Sequence, residues 1–185
     1  MIVKRAPNSF GETMKKIYCN IKKCLGCGSC EIACAVEHSK SKKIDSAIQE
    51  SPFPIKRRKA QFVAESVAIS TGCHHCENAA CVASCMSGAM SKDKETGQTK
   101  HDKDKCVGCW MCVMTCPFGA LTRQKEEKVV VKCDLCPDRD VPACVEACPS
   151  RALFLGTREQ FEASIKVVSG SCQTPFSEEA LKTGV

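Results

Sequence analysis

Sixteen of the chain's 18 cysteines fall into four groups of four. The first group is Cys24, Cys27, Cys30 and Cys34, at intervals x2, x2 and x3. The second is Cys73, Cys76, Cys81 and Cys85, at x2, x4 and x3. The third, Cys106, Cys109, Cys112 and Cys116, repeats the intervals of the first and is followed by Pro117. The fourth, Cys133, Cys136, Cys144 and Cys148, stretches the middle interval to x7 and is followed by Pro149. Spacing of this kind suits [4Fe–4S] clusters. Three cysteines on a tight loop reach three irons of one cubane, and the fourth, on a starting helix, points away to a neighbouring cluster. The third group matches the bacterial run C-x2-C-x2-C-x3-C-P without a gap.

Zinc is the competing chemistry, since four zinc sites would also use sixteen thiolates. Zinc ribbons, however, use two separated C-x2-C knuckles, and a triplet wastes a ligand at a single ion. Cys19 and Cys172 stand outside the groups. They read as a small buried hydrophobe and a surface thiol. His74 and His75 lie inside group two, where four cysteines already suffice, and read as tuning or surface residues.

The composition agrees with a metal-supported fold. Among 185 residues, 43% are hydrophobic, but without the cysteines that share falls to about a third, thin for a self-sufficient core. The formal charge is +6 with every cysteine counted neutral. A cubane with four thiolates carries about −2, so four clusters would bring the holoprotein to about −2. The lysine excess is then mostly counter-charge and weak evidence for nucleic acid. Lys56-Arg57-Arg58-Lys59 reads as a solvated loop or a docking surface for an acidic partner. One Trp and one Tyr give no stacking platform for single strands. No apolar run is long enough to span a membrane. The N-terminal sequence has no apolar h-region or twin-arginine pattern, so a cytoplasmic location is expected, where disulfides are rare.

The elements that must position the cysteines are short, and the fold class is α+β. Group one (CLGCGSCEIACA) resembles group three (CVGCWMCVMTCP), and groups two and four end alike, in ACVASCMSGAM and ACVEACPSRAL. Two ferredoxin-like units with two clusters each are the simplest reading. Lys94-Glu95-Thr96-Gly97 predicts a hairpin turn. Strands are predicted at Val129–Val131, over Gln61–Ile69 and over Ala152–Leu155, and a helix over Arg158–Val168 with Phe161, Ile165 and Val168 as its packing stripe. Residues from Gly170 read as a tail. Local sequence leaves open whether the groups pair sequentially or as one with four and two with three.

The array, above all CVGCWMCVMTCPFGA and KCDLCPDRDVPACVEACP, resembles the four-cluster ferredoxin subunits of formate hydrogenlyase, dimethyl sulfoxide reductase and carbon monoxide dehydrogenase systems, over roughly residues 14–160. The short form is most similar to the electron-transfer subunit of carbon monoxide dehydrogenase. The resemblance implies nested pairing. One cluster would take Cys24, Cys27, Cys30 and Cys148, and a second Cys34, Cys133, Cys136 and Cys144. A third would take Cys73, Cys76, Cys81 and Cys116, and a fourth Cys85, Cys106, Cys109 and Cys112. It implies two pseudo-symmetric two-cluster units of short hairpins and helices. Residues 14–37 with 128–160 form the first and residues 60–127 the second. Residues 38–59 are then a basic surface loop, residues 1–13 an N-terminal extension, and residues 161–185 a helix end and tail. Met86 stands where many relatives carry proline. Methionine keeps a backbone N–H that proline lacks, and that N–H is expected to raise the potential of the Cys85 cluster.

The function expected is one-electron transfer through four [4Fe–4S] clusters, without an active site of the chain's own. Expected partners are redox enzyme subunits of the carbon monoxide dehydrogenase, hydrogenase, formate dehydrogenase or flavin oxidoreductase type. A redox-sensing regulator would need a DNA-reading element, and no helix-turn-helix is visible. A catalytic cluster would need an open iron, yet every group offers four cysteines. No G-x-G-x-x-G dinucleotide fingerprint occurs.

Overall fold

The computed structural model describes residues 14–169; the expectations for residues 1–13, Cys172 and the tail from Gly170 lie outside them. Strand β1 (Lys16–Cys19) pairs antiparallel with the late strand β8 (Leu153–Gly156), Cys19 opposite Leu153. This long-range pair carries group one to group four. Helix α1 (Ser29–Glu37), bearing Cys30 and Cys34, packs on α5 (Ala143–Glu146), which bears Cys144. Helix α2 (Ile44–Ala47) interrupts the segment expected to be a surface loop, with Ala47 as its buried anchor.

Three hairpins lie between. β2 (Arg58–Ala64) and β3 (Val67–Gly72) form one, where the sequence suggested a single strand. Its turn, Glu65-Ser66, has no glycine or proline to announce it. Arg58, expected in a solvated run, is buried. β4 (Met90–Lys92) and β5 (Thr99–His101) form the second, around the predicted turn. There the Asp93 carboxylate accepts from the N–H groups of Glu95 and Thr96 at 2.9 and 3.2 Å. β6 (Leu121–Gln124) and β7 (Val129–Lys132) form the third. Helix α3 (Ala80–Ala83) follows the β2–β3 hairpin, and α4 (Met111–Thr115) precedes β6; the two helices pack together. They carry groups two and three side by side. Helix α6 (Arg158–Ser169) lays Phe161 on Tyr18, ring centroids 4.9 Å apart, so Phe161 packs as expected.

Two small cores result. Cys30, Cys144 and Leu153 centre one, with Ile17, Cys19, Ala60, Val145 and Cys148 around them. Met90, Cys112, Leu121 and Val130 centre the other, walled by Cys81, Cys85, Cys106 and Cys116 among others. Cysteine side chains fill positions that leucine or valine would hold elsewhere. That is why so modest an apolar inventory closes. Gly108 is required by space as well as by its φ of +67°: a Cβ there would stand 2.5 Å from the Lys128 carbonyl oxygen.

Candidate metal centres

The fold gathers the sixteen cysteines into four sets. Cys24, Cys27, Cys30 and Cys148 line one small cavity with Ala60, Ser70 and Leu153. Cys85, Cys106, Cys109 and Cys112 line another with Met90, Trp110 and Val130. Burial pushes the Cys144 thiol up to about 12; the Arg58 charge opposes that rise, and Cys133, Cys34 and Cys136 are the sulfur neighbours that add to it. Burial likewise raises the Cys81 thiol, with Cys73, Cys116 and Cys76 as its sulfur neighbours. Each set therefore joins three cysteines of one group to the fourth of another. Cys27 and Cys109, the middle members of the compact triplets, are exposed, whereas Cys34, Cys136 and Cys144 are buried.

The chemistry of these donors fits iron–sulfur clusters. Burial holds Cys112 and Cys133 up to about 11, so bare thiols would stay protonated there. A cationic metal core removes that penalty. Backbone donors also aim at sulfur. The last cysteine of every group accepts a main-chain N–H: Arg57 N to Cys34 Sγ at 3.2 Å, Met90 N to Cys85 Sγ at 3.4 Å, Ala120 N to Cys116 Sγ at 3.5 Å and Ala152 N to Cys148 Sγ at 3.2 Å. Such donors stabilise thiolate and favour the reduced, more negative cluster. For Cys85, burial raises the thiol, but the Met90 N–H, the Ser87 hydroxyl and the N–H groups of Ala89 and Ser87 together bring it below its ordinary value. Met86 is not among these donors and its side chain is 85% exposed. The turn after Cys85 places the donor on Met90 instead, which corrects the expectation for Met86.

Polar residues that local sequence did not single out surround the sets. His38 Nδ1 bonds the Cys34 carbonyl at 2.7 Å and lies 3.8 Å from Cys34 Sγ. His38 Nε2 reaches Asp134 Oδ1 at 3.1 Å, and Arg57 Nη1 donates to the other Asp134 oxygen. Burial would raise the Asp134 carboxyl, yet His38 and Arg57 hold it well below the usual carboxylate range. Ligand atoms of His38, Asp134 and Cys136 lie within 4.8 Å of one another, but each is already engaged in this network or in its cysteine set. Ser70 Oγ lies 3.3 Å from Cys30 Sγ, and the Ser70 N–H donates to Cys19 Sγ at 3.4 Å. Cys19 is thus half-buried beside the first set, and burial pushes its thiol up to about 11. His74 is exposed and stacks on Phe118, centroids 4.1 Å apart. His75 is 1% exposed, and burial followed by the Lys132 charge lowers it to about 3, so its ring is neutral. Lys92 Nζ donates to the carbonyls of His75 and Cys76.

Clustered thiolate sets with N–H donors to sulfur, on a small mixed fold of hairpins and short helices, define an iron–sulfur protein of ferredoxin type. Residues 64–158 match the 4Fe-4S dicluster domain family, and the chain belongs to it. It is 36% identical over 166 residues to an iron-sulfur protein of Rhodospirillum rubrum, covering 81% of this chain and 86% of that one. It is 34% identical over 162 residues to the electron transport protein HydN of Escherichia coli (strain K12), covering 79% and 90%. It is 35% identical to the thiosulfate reductase electron transfer subunit PhsB of Salmonella typhi, covering 76% of this chain and 74% of that one. The protein binds [4Fe–4S] clusters and transfers electrons. Among the described residues no helix is long and apolar enough to cross a membrane.

Proposed function

We propose that the chain is a relay for single electrons through four [4Fe–4S] clusters, held by the four nested cysteine sets in two pseudo-symmetric ferredoxin-like units. The observation that carries this reading is the joining of each triplet to the fourth cysteine of a different group, as in the cavity shared by Cys24, Cys27, Cys30 and Cys148. When bound, a cubane supplies a one-electron couple. The chain's residues supply the rest. Buried walls exclude water from Cys34, Cys136 and Cys144, and the N–H groups of Arg57, Met90, Ala120 and Ala152, donated to the sulfur of the last cysteine of each group, offset added negative charge. Exposed Cys27 and Cys109 give the outer sets short routes to partners.

The donor or acceptor is an oxidoreductase subunit. The resemblance of CVGCWMCVMTCPFGA and KCDLCPDRDVPACVEACP favours carbon monoxide dehydrogenase on one side and a hydrogenase or second oxidoreductase on the other. A formate dehydrogenase partner is the neighbouring alternative. Anaerobic protein should hold about sixteen irons and take up about four electrons per chain on reductive titration. Reduction by carbon monoxide should need only catalytic carbon monoxide dehydrogenase. Stoichiometric zinc with little iron would overturn the relay; four clusters reduced by formate dehydrogenase and not by carbon monoxide dehydrogenase would overturn the partner alone.

A further inference from the structure

Lys132 is a lysine in an unusual place. It ends β7, one residue before Cys133, and is 5% exposed. Its Nζ donates to the carbonyl of Cys133 at 2.7 Å and to that of Thr99. Among the described residues no carboxylate lies within ion-pair distance of it: Asp134, two residues on, is bound by His38 and Arg57. A buried ammonium facing only carbonyls is costly unless negative charge stands nearby.

Its hydrogen bonds show where that charge would be. The Thr99 N–H donates to His75 Nδ1 at 3.2 Å, and His75 sits between Cys73 and Cys76. One continuous chain of bonds thus runs from the Cys133 loop through Lys132 and Thr99 to the Cys73–Cys76 loop. Neither the set containing Cys73 nor the set containing Cys133 has an exposed cysteine, whereas each of the other two has one, so by burial these two form the middle pair.

We propose that Lys132 is the shared counter-charge of the two middle clusters, a fixed cation between the Cys73, Cys76, Cys81, Cys116 set and the Cys34, Cys133, Cys136, Cys144 set that raises both potentials together. This rests on the nested ligation proposed above. Two adjacent clusters of about −2 each repel one another and resist a further electron. A cation between them relieves both at once, which keeps the middle of the relay from becoming a barrier. Lys92 is the contrasting case. Its Nζ caps His75 and Cys76 only, so its influence is confined to the Cys73 set.

The test is redox titration of the holoprotein followed by electron paramagnetic resonance, with middle signals assigned through Cys76→Ser and Cys136→Ser. Lys132→Met should weaken the reduction equilibrium of both middle clusters by about tenfold or more. The outer two should stay as in wild type. Lys132→Arg should preserve both, and Lys92→Met should shift only the Cys73 set. Lys132→Met with four clusters at wild-type potentials, or with one middle potential moved alone, overturns the proposal. Iron analysis keeps its failure apart from that of nested ligation: four intact signals without a shift sink only the role of Lys132. If Lys132→Met does not assemble, Lys132→Arg decides. Four clusters near wild-type potentials support the charge; loss of clusters in Lys132→Arg as well assigns the residue to hydrogen-bond geometry and overturns it.

Discussion

Groups one and three have the same cysteine intervals and end differently. After Cys116 the chain turns at Pro117, α4 having stopped at Thr115, and Ala120, four residues on, donates its N–H to the Cys116 sulfur. Cys34 lies inside α1, which runs on to Glu37, so no local turn is free to donate. The N–H comes instead from Arg57, 23 residues further on, and the Arg57 side chain also binds Asp134, which binds His38 beside Cys34. A sulfur at either place receives one N–H donor. One end obtains it from a four-residue turn, the other from a remote segment fastened by an ion-pair network. The local device should survive disturbance of distant chain, and the remote one should not.

Iron removal is the largest perturbation, because it erases the difference. Both cores are walled by cysteine, and binding energy at metal sites is folding energy. Chelation under reducing conditions should collapse the circular dichroism and open the chain to protease in both regions. A protease-resistant apoprotein with native dichroism would break the account of both.

Asp134→Asn separates the regions. It leaves Arg57 and His38 without their carboxylate, and because Asp134 is 39% exposed the cost is about 1–2 kcal/mol, below that of a fully buried pair. Iron should be lost faster from the Cys34 set while the Cys116 set keeps its wild-type lifetime, as followed by paramagnetic resonance during slow chelation. Equal acceleration at both would remove the distinction.

A smaller effect appears with pH. Burial opposes the charge on His38, but Asp134 and then the contacts to Cys34 lift it to about 9 from 6.5. The folded value is the higher one. The stabilisation is therefore complete below about pH 6.5 and is lost as pH rises through about 9. Urea denaturation of the holoprotein should show wild type losing more stability across that window than His38→Ala. Parallel curves would remove His38 from the network.

The smallest effect belongs to Met86→Pro. The donors to Cys85 are further along the turn, and the Met86 side chain is 85% exposed. The potential of the Cys85 set should be unchanged in redox titration. A clear fall would restore a direct role for the Met86 N–H.

Much of this was legible in the sequence, for a physical reason. Ligand spacing is local, so the four cysteine groups, the turn at Lys94–Gly97 and the packing of Phe161 could be read from neighbouring residues. β1 could not be, because Lys16–Cys19 is four residues long and exists by virtue of β8. The β2–β3 hairpin was hidden by its Glu65-Ser66 turn. Arg58 reads as part of a solvated run, and nothing local singles out Lys132 or Asp134, because what surrounds them comes from partners far along the chain. His75 is visible in the sequence inside group two, but its tautomer-setting partner Thr99 lies in another hairpin.

The central claim is that each triplet shares its cluster with the last cysteine of a distant group. Cys24→Ser and Cys148→Ser, examined separately by paramagnetic resonance of the anaerobically reduced protein, test it most directly. Nested ligation predicts that both variants alter the same signal, 124 residues apart in sequence. If Cys148→Ser instead alters the signal altered by Cys109→Ser, the pairing is sequential and the account is contradicted.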